Sequence, residues 1–265
     1  MSRPDRPCSR PFPKERLVSA AVLFGVLALW EVAARAGWVS RLFFPPPSFI
    51  VQTLGRMAWS GQLWTDLGYT MGRLGAGLFL GAGSGLLLGW LMGASRPVRL
   101  ALDPLVAALH PMPKLALFPI FLILLGIGEA SKVALLALAA FFPMLINTLA
   151  GVRQIDCVYW ELAANYGARR LAMLRRVILP GSLPMSMVGL RLAANNVLVV
   201  AIAVEMLSAQ EGLGATIWMA WQTLHTEELY AMLAVIGAVG ICLHFIVERV
   251  TRWLMPWNNR ETRNG

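Results

Sequence analysis

Long apolar runs separated by short polar stretches dominate the chain. Six of them are long enough to cross a hydrocarbon core, which takes about 20 residues of helix. They are Leu17–Ala34, Leu67–Met92, Leu105–Leu125, Val133–Ala150, Leu183–Leu207 and Leu229–Val250. A cleaved signal peptide is the alternative for the first, because Arg10, Lys14 and Arg16 precede it and Ala34-Arg35-Ala36 imitates a cleavage site. Its apolar run exceeds a signal core, which favours a retained span. The pattern predicts an all-α, polytopic membrane protein with six transmembrane helices.

Two runs carry a second pattern. Gly77, Gly81, Gly85, Gly89 and Gly93 recur every fourth residue, along one stripe of a helix where missing side chains let a neighbour approach closely. The stripe suits packing inside one subunit or an interface between subunits. In the third run Pro111, Pro113 and Pro119 interrupt the helix beside His110 and Lys114. Proline removes a backbone donor and disturbs the preceding turn. Such backbone is tolerated at membrane depth only beside protein or a watery cavity. This run is therefore expected to line a pathway, with Lys114 either attracting an anion or snorkelling from the membrane interface.

Charge sets the orientation. Only 14% of the 265 residues are charged against 57% hydrophobic, and mean hydropathy is +0.63; soluble domains carry roughly a quarter charged residues. The net charge of +9 does not point to nucleic acid, because the cations cluster between apolar runs as topology signals do. Arg3, Arg6, Arg10, Lys14 and Arg16 precede the first run. Arg96 and Arg99 follow the second, Arg153, Arg169, Arg170, Arg175 and Arg176 follow the fourth, and Arg249, Arg252, Arg260 and Arg263 follow the sixth. These regions share one side of a six-span chain, so both termini and the long fourth loop are expected in the cytoplasm. Glu211, Glu227 and Glu228 make the other side acidic.

The remaining intramembrane charges are Arg73, Arg191 and Glu205, and with Lys114 they form the pathway candidates, since buried ionisable groups in membranes are expensive. Arg73 suits snorkelling or pairing with an acid, and Arg191 and Glu205 equally suit structural roles at helix ends. Glu31 and Arg35 are one turn apart and can pair locally. Cys8, Cys157 and Cys242 have no metal or disulfide spacing. His110, His225 and His244 share no motif, and neither a metal site nor a cofactor is expected.

The polar, basic stretch Glu161–Pro180 stands apart from the apolar runs. Asp156 is placed to cap a short helix that stops at Gly167, the residue best suited to a left-handed C′ position. A second helix, Arg169–Leu179, is expected to end before Pro180. Val158, Leu162 and Tyr166 share one face of the first helix, with Glu161 beside them, which suits insertion into a cleft of another protein. An amphipathic segment lying on anionic lipid is the alternative, and it accounts for the arginines but not for the Glu–Gly–Pro punctuation.

This stretch resembles the loop of ATP-binding-cassette importer permeases, with the pattern E-A-A, three residues, G, nine residues, I-x-L-P. Glu161, Ala163, Gly167, Leu179 and Pro180 match it without a gap, while Leu162 and Val177 depart from it. Phe44-Pro45-Pro46-Pro47-Ser48, Leu125–Lys132 and Phe142–Thr148 are similar to the nitrate, sulfonate and taurine subfamily.

The resemblance implies a type I importer (MetI-like) permease fold in the bacterial inner membrane. Its expected division is a cytoplasmic tail 1–16, a first span with a periplasmic segment 17–66, a core 67–255 containing a coupling loop 153–182, and a tail 256–265. It further implies that Glu161, Leu162, Ala163, Tyr166, Gly167, Leu179 and Pro180 engage a cytoplasmic ATP-binding subunit, present in two copies. A second permease copy, most simply a homodimer, and a periplasmic binding protein complete the complex. The latter would meet Gly212–Glu228 and Gly126–Ser131. The chain has no G-x-x-x-x-G-K-[ST] phosphate loop and is not expected to be an enzyme. The subfamily's substrates point to a small solute, with the scattered cations favouring an anion such as an aliphatic sulfonate, taurine or nitrate. The rivals are an ion-coupled secondary transporter, for which the broken run lacks an acid pair, and a membrane-embedded enzyme.

Overall fold

The computed structural model describes residues 13–208 and 210–256, and among them every regular element is helical. In chain order these are α1 (Pro13–Arg35), α2 (Pro47–Ser60), α3 (Gln62–Ala94), α4 (Arg96–Leu109), a 3₁₀ turn (Lys114–Leu117), α5 (Phe118–Leu125), α6 (Glu129–Arg153) and α7 (Cys157–Asn165). They continue with α8 (Arg170–Met173), a π-turn (Leu174–Ile178), α9 (Leu179–Ser208), α10 (Leu213–Gln222) and α11 (Thr226–Leu254). The tail cations Arg3 to Arg10, Cys8, Arg260 and Arg263 lie outside the described residues.

The centre of the bundle is the triplet α3, α6 and α9. The glycine stripe explains how closely the first two approach. A Cβ at Gly85 would lie 2.5 Å from the Phe141 carbonyl oxygen, one at Gly89 would lie 2.7 Å from Thr148 Cβ, and one at Gly81 would fall on the Ala137 carbonyl. The stripe is therefore a packing surface within the subunit. Leu74, Phe118, Leu135, Leu136, Ala193 and Val197 fill the core around it. A second cluster, with Ile50, Met57, Leu213, Ile217 and Met232, joins α2, α10 and α11.

Four described stretches are long and apolar enough to cross a membrane: α3, α6, the continuous run Leu171–Ser208, and α11. The expected third span, Leu105–Leu125, is not one helix. α4 and the Lys114–Leu125 segment pass the same test only as a pair bent by 94°, the geometry of a broken span or a re-entrant loop. The break falls at His110–Pro113. Pro119 does not contribute to it, because Pro119 occupies the first turn of α5, where a missing N–H has no helical partner to lose. α1 adds 23 residues, with Val22, Leu23, Phe24 and Leu29 largely exposed.

Two elements were not read from the sequence. α2 starts at Pro47 and ends at Gly61, whose φ of +87° needs a residue without a Cβ. α10 starts after Gly212 at φ +119°. Both are shorter than a span, and the apolar runs beside them mask their period.

Candidate functional site

The loop after α6 folds largely as its residues direct. Asp156 Oδ1 accepts the Val158 N–H at 3.0 Å at the start of α7. Gly167 has φ +69°, and the Ala168 N–H donates to the Ala163 carbonyl at 2.9 Å, closing the helix in the manner of a Schellman motif. Val158, Glu161, Leu162 and Tyr166 are all exposed, Tyr166 to 84%. Ala163 and Trp160 are half-buried. The inner angle between α7 and the following turns encloses a cavity of about 590 Å³ that Leu162, Tyr166, Arg169 and Arg176 help to line.

Pro180 does not stop the second helix. α8 passes into the π-turn, in which the Leu179 N–H donates to the Leu174 carbonyl, and α9 then runs on through Leu179 and Pro180 to Ser208. A proline inside a regular α-helix clashes with the carbonyl four residues back. The wider π-turn immediately before it changes that register, so the chain continues where an ordinary helix would end.

The pathway candidates separate into distinct places. Arg73 and Glu205 meet at one end of the triplet, 4% and 1% exposed, with Arg73 Nη1 donating to Glu205 Oε1 at 2.8 Å. Arg73 also forms a two-pronged pair with Glu129, at 2.7 and 2.8 Å, and donates to the Glu211 carbonyl at 2.7 Å. Lys132 joins Glu129 at 2.9 Å. Glu205 accepts further bonds from the Thr70 hydroxyl and the Gly214 N–H, while Asp66 accepts from the Gly212 N–H and the Thr216 hydroxyl. The free N–H groups that open α10 thus end on side chains of α3 and α9, and the cluster ties α3, α6, α9 and α10 together. Buried charges are tolerated when paired and hydrogen-bonded in this way. Toward the exterior, Arg73 and Glu129 border an open cavity of about 510 Å³ with Trp64 and Tyr69.

Lys114 sits at the break between α4 and α5. Its ammonium donates to the His110 carbonyl and lies 5.5 Å from the centre of the Phe142 ring. It lines a cavity of about 370 Å³ with Asn196 of α9. Arg191 is exposed on α9. Sequence reasoning missed Asp66, Thr70, Glu129 and Asn196. Each becomes meaningful only when helices far apart in sequence are juxtaposed, and a single sequence contains no such pairing information.

Comparison with known proteins agrees with this architecture. The family described as binding-protein-dependent transport system inner membrane component matches residues 85–260. The taurine transport system permease protein of Escherichia coli (strain K12) is 34% identical over 94% of this chain and 92% of its own length. A Bacillus subtilis (strain 168) permease protein named for aliphatic sulfonates transport is 34% identical over 88% of this chain and 85% of its own length. The formylaminopyrimidine transport permease protein of Halalkalibacterium halodurans is 29% identical over 89% of this chain. The helical arrangement is also similar to that of a chain in inward-facing structures of a methionine ABC transporter. The TM-score there is 0.61 at 18% identity, covering 74% of this chain and 97% of that one. The family match over residues 85–260, these relatives and the likeness in fold of this all-helical bundle identify the chain as a member of the binding-protein-dependent transport system inner membrane component family.

Proposed function

We propose that this chain forms the translocation pathway of an ATP-driven importer for a small anion, of the kind represented by aliphatic sulfonates, taurine or nitrate. The observation that carries the reading is α7. It is a short helix fixed at both ends, with Val158, Leu162 and Tyr166 exposed beside Glu161. Exposed apolar knobs on a rigid polar loop suit insertion into a partner's cleft.

In this reading the loop 153–182 lies in the cytoplasm with both termini, and α7 docks on a separate ATP-binding subunit. Two such subunits and a second permease copy, in a homodimer, surround one pathway in the bacterial inner membrane. A periplasmic binding protein delivers the solute to the opposite face. ATP-driven closure of the motor moves two α7 helices, and the continuous run from α8 into α9 transmits that displacement into the bundle core. Leu179 and Pro180 sit at the junction. The names of the taurine and sulfonate relatives and the cation at the α4–α5 break support the choice of an anion.

The test is Glu161→Lys in the complete importer. Uptake and co-purification of the ATP-binding subunit are expected to disappear while membrane insertion persists. Normal co-purification overturns the docking role.

A further inference from the structure

We infer that Lys114 and Asn196 form an anion-binding subsite within the membrane, suited to a small anion that carries an apolar part. The inference rests on the importer reading above and adds to it the residues that hold the solute in transit.

Depth is the first reason. The cavity is bounded by Ala139 on α6 and Asn196 on α9. At about 1.5 Å per residue, Ala139 lies roughly 15 Å along α6 from Glu129 and roughly 21 Å from Arg153. Asn196 lies roughly 26 Å from the start of α9 and roughly 18 Å from its end. Both distances place the cavity well inside α6 and α9, away from the helix ends at which a lysine snorkels to an interface.

The backbone is the second reason. The helix is broken at His110–Pro113, immediately before Lys114, and broken helices at membrane depth persist where they line a cavity. Many secondary transporters place their substrate sites at discontinuous helices of this kind, and the same backbone logic applies to a cavity-lining break here. The ammonium carries three donors, of which the His110 carbonyl takes one, leaving two for a ligand.

The lining sets the chemical class. Lys114 and Asn196 are the lining residues with side-chain donors, while Leu115, Ala139, Val199 and Ala203 make much of the rest apolar, and no carboxylate lines the cavity among the described residues. A cation is repelled there, and a fully polar anion leaves the apolar wall unsatisfied. A short aliphatic sulfonate fits both parts. The volume of about 370 Å³ lies at the small end of ligand cavities.

Two measurements on the full-length chain in its complete importer test this. In the first, Asn196→Cys is placed in a chain carrying Cys8→Ser, Cys157→Ser and Cys242→Ser. It is then labelled with an anionic sulfonatoethyl and a cationic trimethylammonium-ethyl methanethiosulfonate. The anionic reagent is expected to react faster, and Lys114→Gln is expected to reduce that preference by about tenfold, as loss of a nearby unit charge does in a partly desolvated site. Equal rates, or a preference untouched by Lys114→Gln, overturns the subsite whatever the importer carries.

In the second, taurine and ethanesulfonate uptake is measured. Lys114→Gln is expected to lower Vmax by about tenfold with KM unchanged, because binding-protein capture sets KM, and Lys114→Arg is expected to restore uptake to within about threefold. Wild-type rates in Lys114→Gln overturn the subsite. A wild-type importer that takes up neither these sulfonates nor nitrate overturns the proposed substrate class, and the reagent measurement still reports on the cavity.

Discussion

Arg73 and Glu205 are 132 residues apart in the chain and 2.8 Å apart in the fold, joining α3 to α9 in a pair that is almost wholly buried. Both are partnered in the fold. Arg73 has two carboxylates and a carbonyl as partners, and Glu205 has a guanidinium, a hydroxyl and a backbone N–H. We propose that the pair acts as a structural clamp holding α10 against the triplet.

Removing one member is expected to be costly. Glu205→Leu leaves Arg73 with Glu129 as its one carboxylate partner among the described residues and leaves the Thr70 and Gly214 donors without their carboxylate. Breaking a buried pair typically costs about 3–5 kcal/mol, whereas replacing both partners with apolar groups often costs little. Arg73→Met with Glu205→Leu is therefore expected to recover much of the loss seen in either single variant. Thermal denaturation of the purified protein, arranged as a double-mutant cycle, measures the coupling; strictly additive losses would argue against a clamp.

The glycine stripe gives a paired test on one helix. Gly81→Ala drives a Cβ into the Ala137 carbonyl, a backbone atom that cannot move aside, and is expected to separate α3 from α6 and lower folded yield sharply. Gly83→Ala meets nothing within 4 Å. It is expected to be neutral or to stabilise by up to about 1 kcal/mol through the reduced entropy of the unfolded chain. Yield and melting temperature of the two variants distinguish packing from a general intolerance of alanine.

Gly167 isolates backbone from packing. A Cβ there meets no atom within 4 Å, yet φ is +69°, so Gly167→Ala carries only the left-handed penalty of about 1–2 kcal/mol. Fraying of α7 at its C-terminal end is expected, visible as faster amide hydrogen exchange for Tyr166 and Ala168. Affinity for the ATP-binding subunit is expected to fall in step, with Gly167→Asn milder than Gly167→Ala because asparagine tolerates this conformation better.

Pro180 tests transmission. Pro180→Ala restores an N–H and removes the ring that opposes an ordinary helix, so the π-turn at Leu174–Ile178 is expected to relax toward α-helical register. Everything before it, α7 included, then rotates relative to α9. The expected result is unchanged melting temperature with less solute imported per ATP hydrolysed, measured in reconstituted vesicles.

Local instructions were legible where the physics is local. Asp156, Gly167 and the apolar face of α7 follow from capping, from the left-handed preference of glycine and from helical period, and all three are found. The prolines near Lys114 announced a broken helix, and a break is present. Pro180 misled because a proline's effect depends on the hydrogen-bond register before it, which a π-turn alters. α2 and α10 were hidden because each is too short to stand out beside neighbouring apolar runs.

The sequence by itself determined an all-α membrane protein with a capped loop helix, because apolar length, helical period and cap chemistry act within a few residues of one another. The tertiary structure alone decided which charges are spent on each other and which face open space. Arg73 pairs with both Glu129 and Glu205, and Lys114 shares a cavity with Asn196. Desolvation and pairing depend on neighbours in space, and only the packing of α3, α6 and α9 brings those neighbours together.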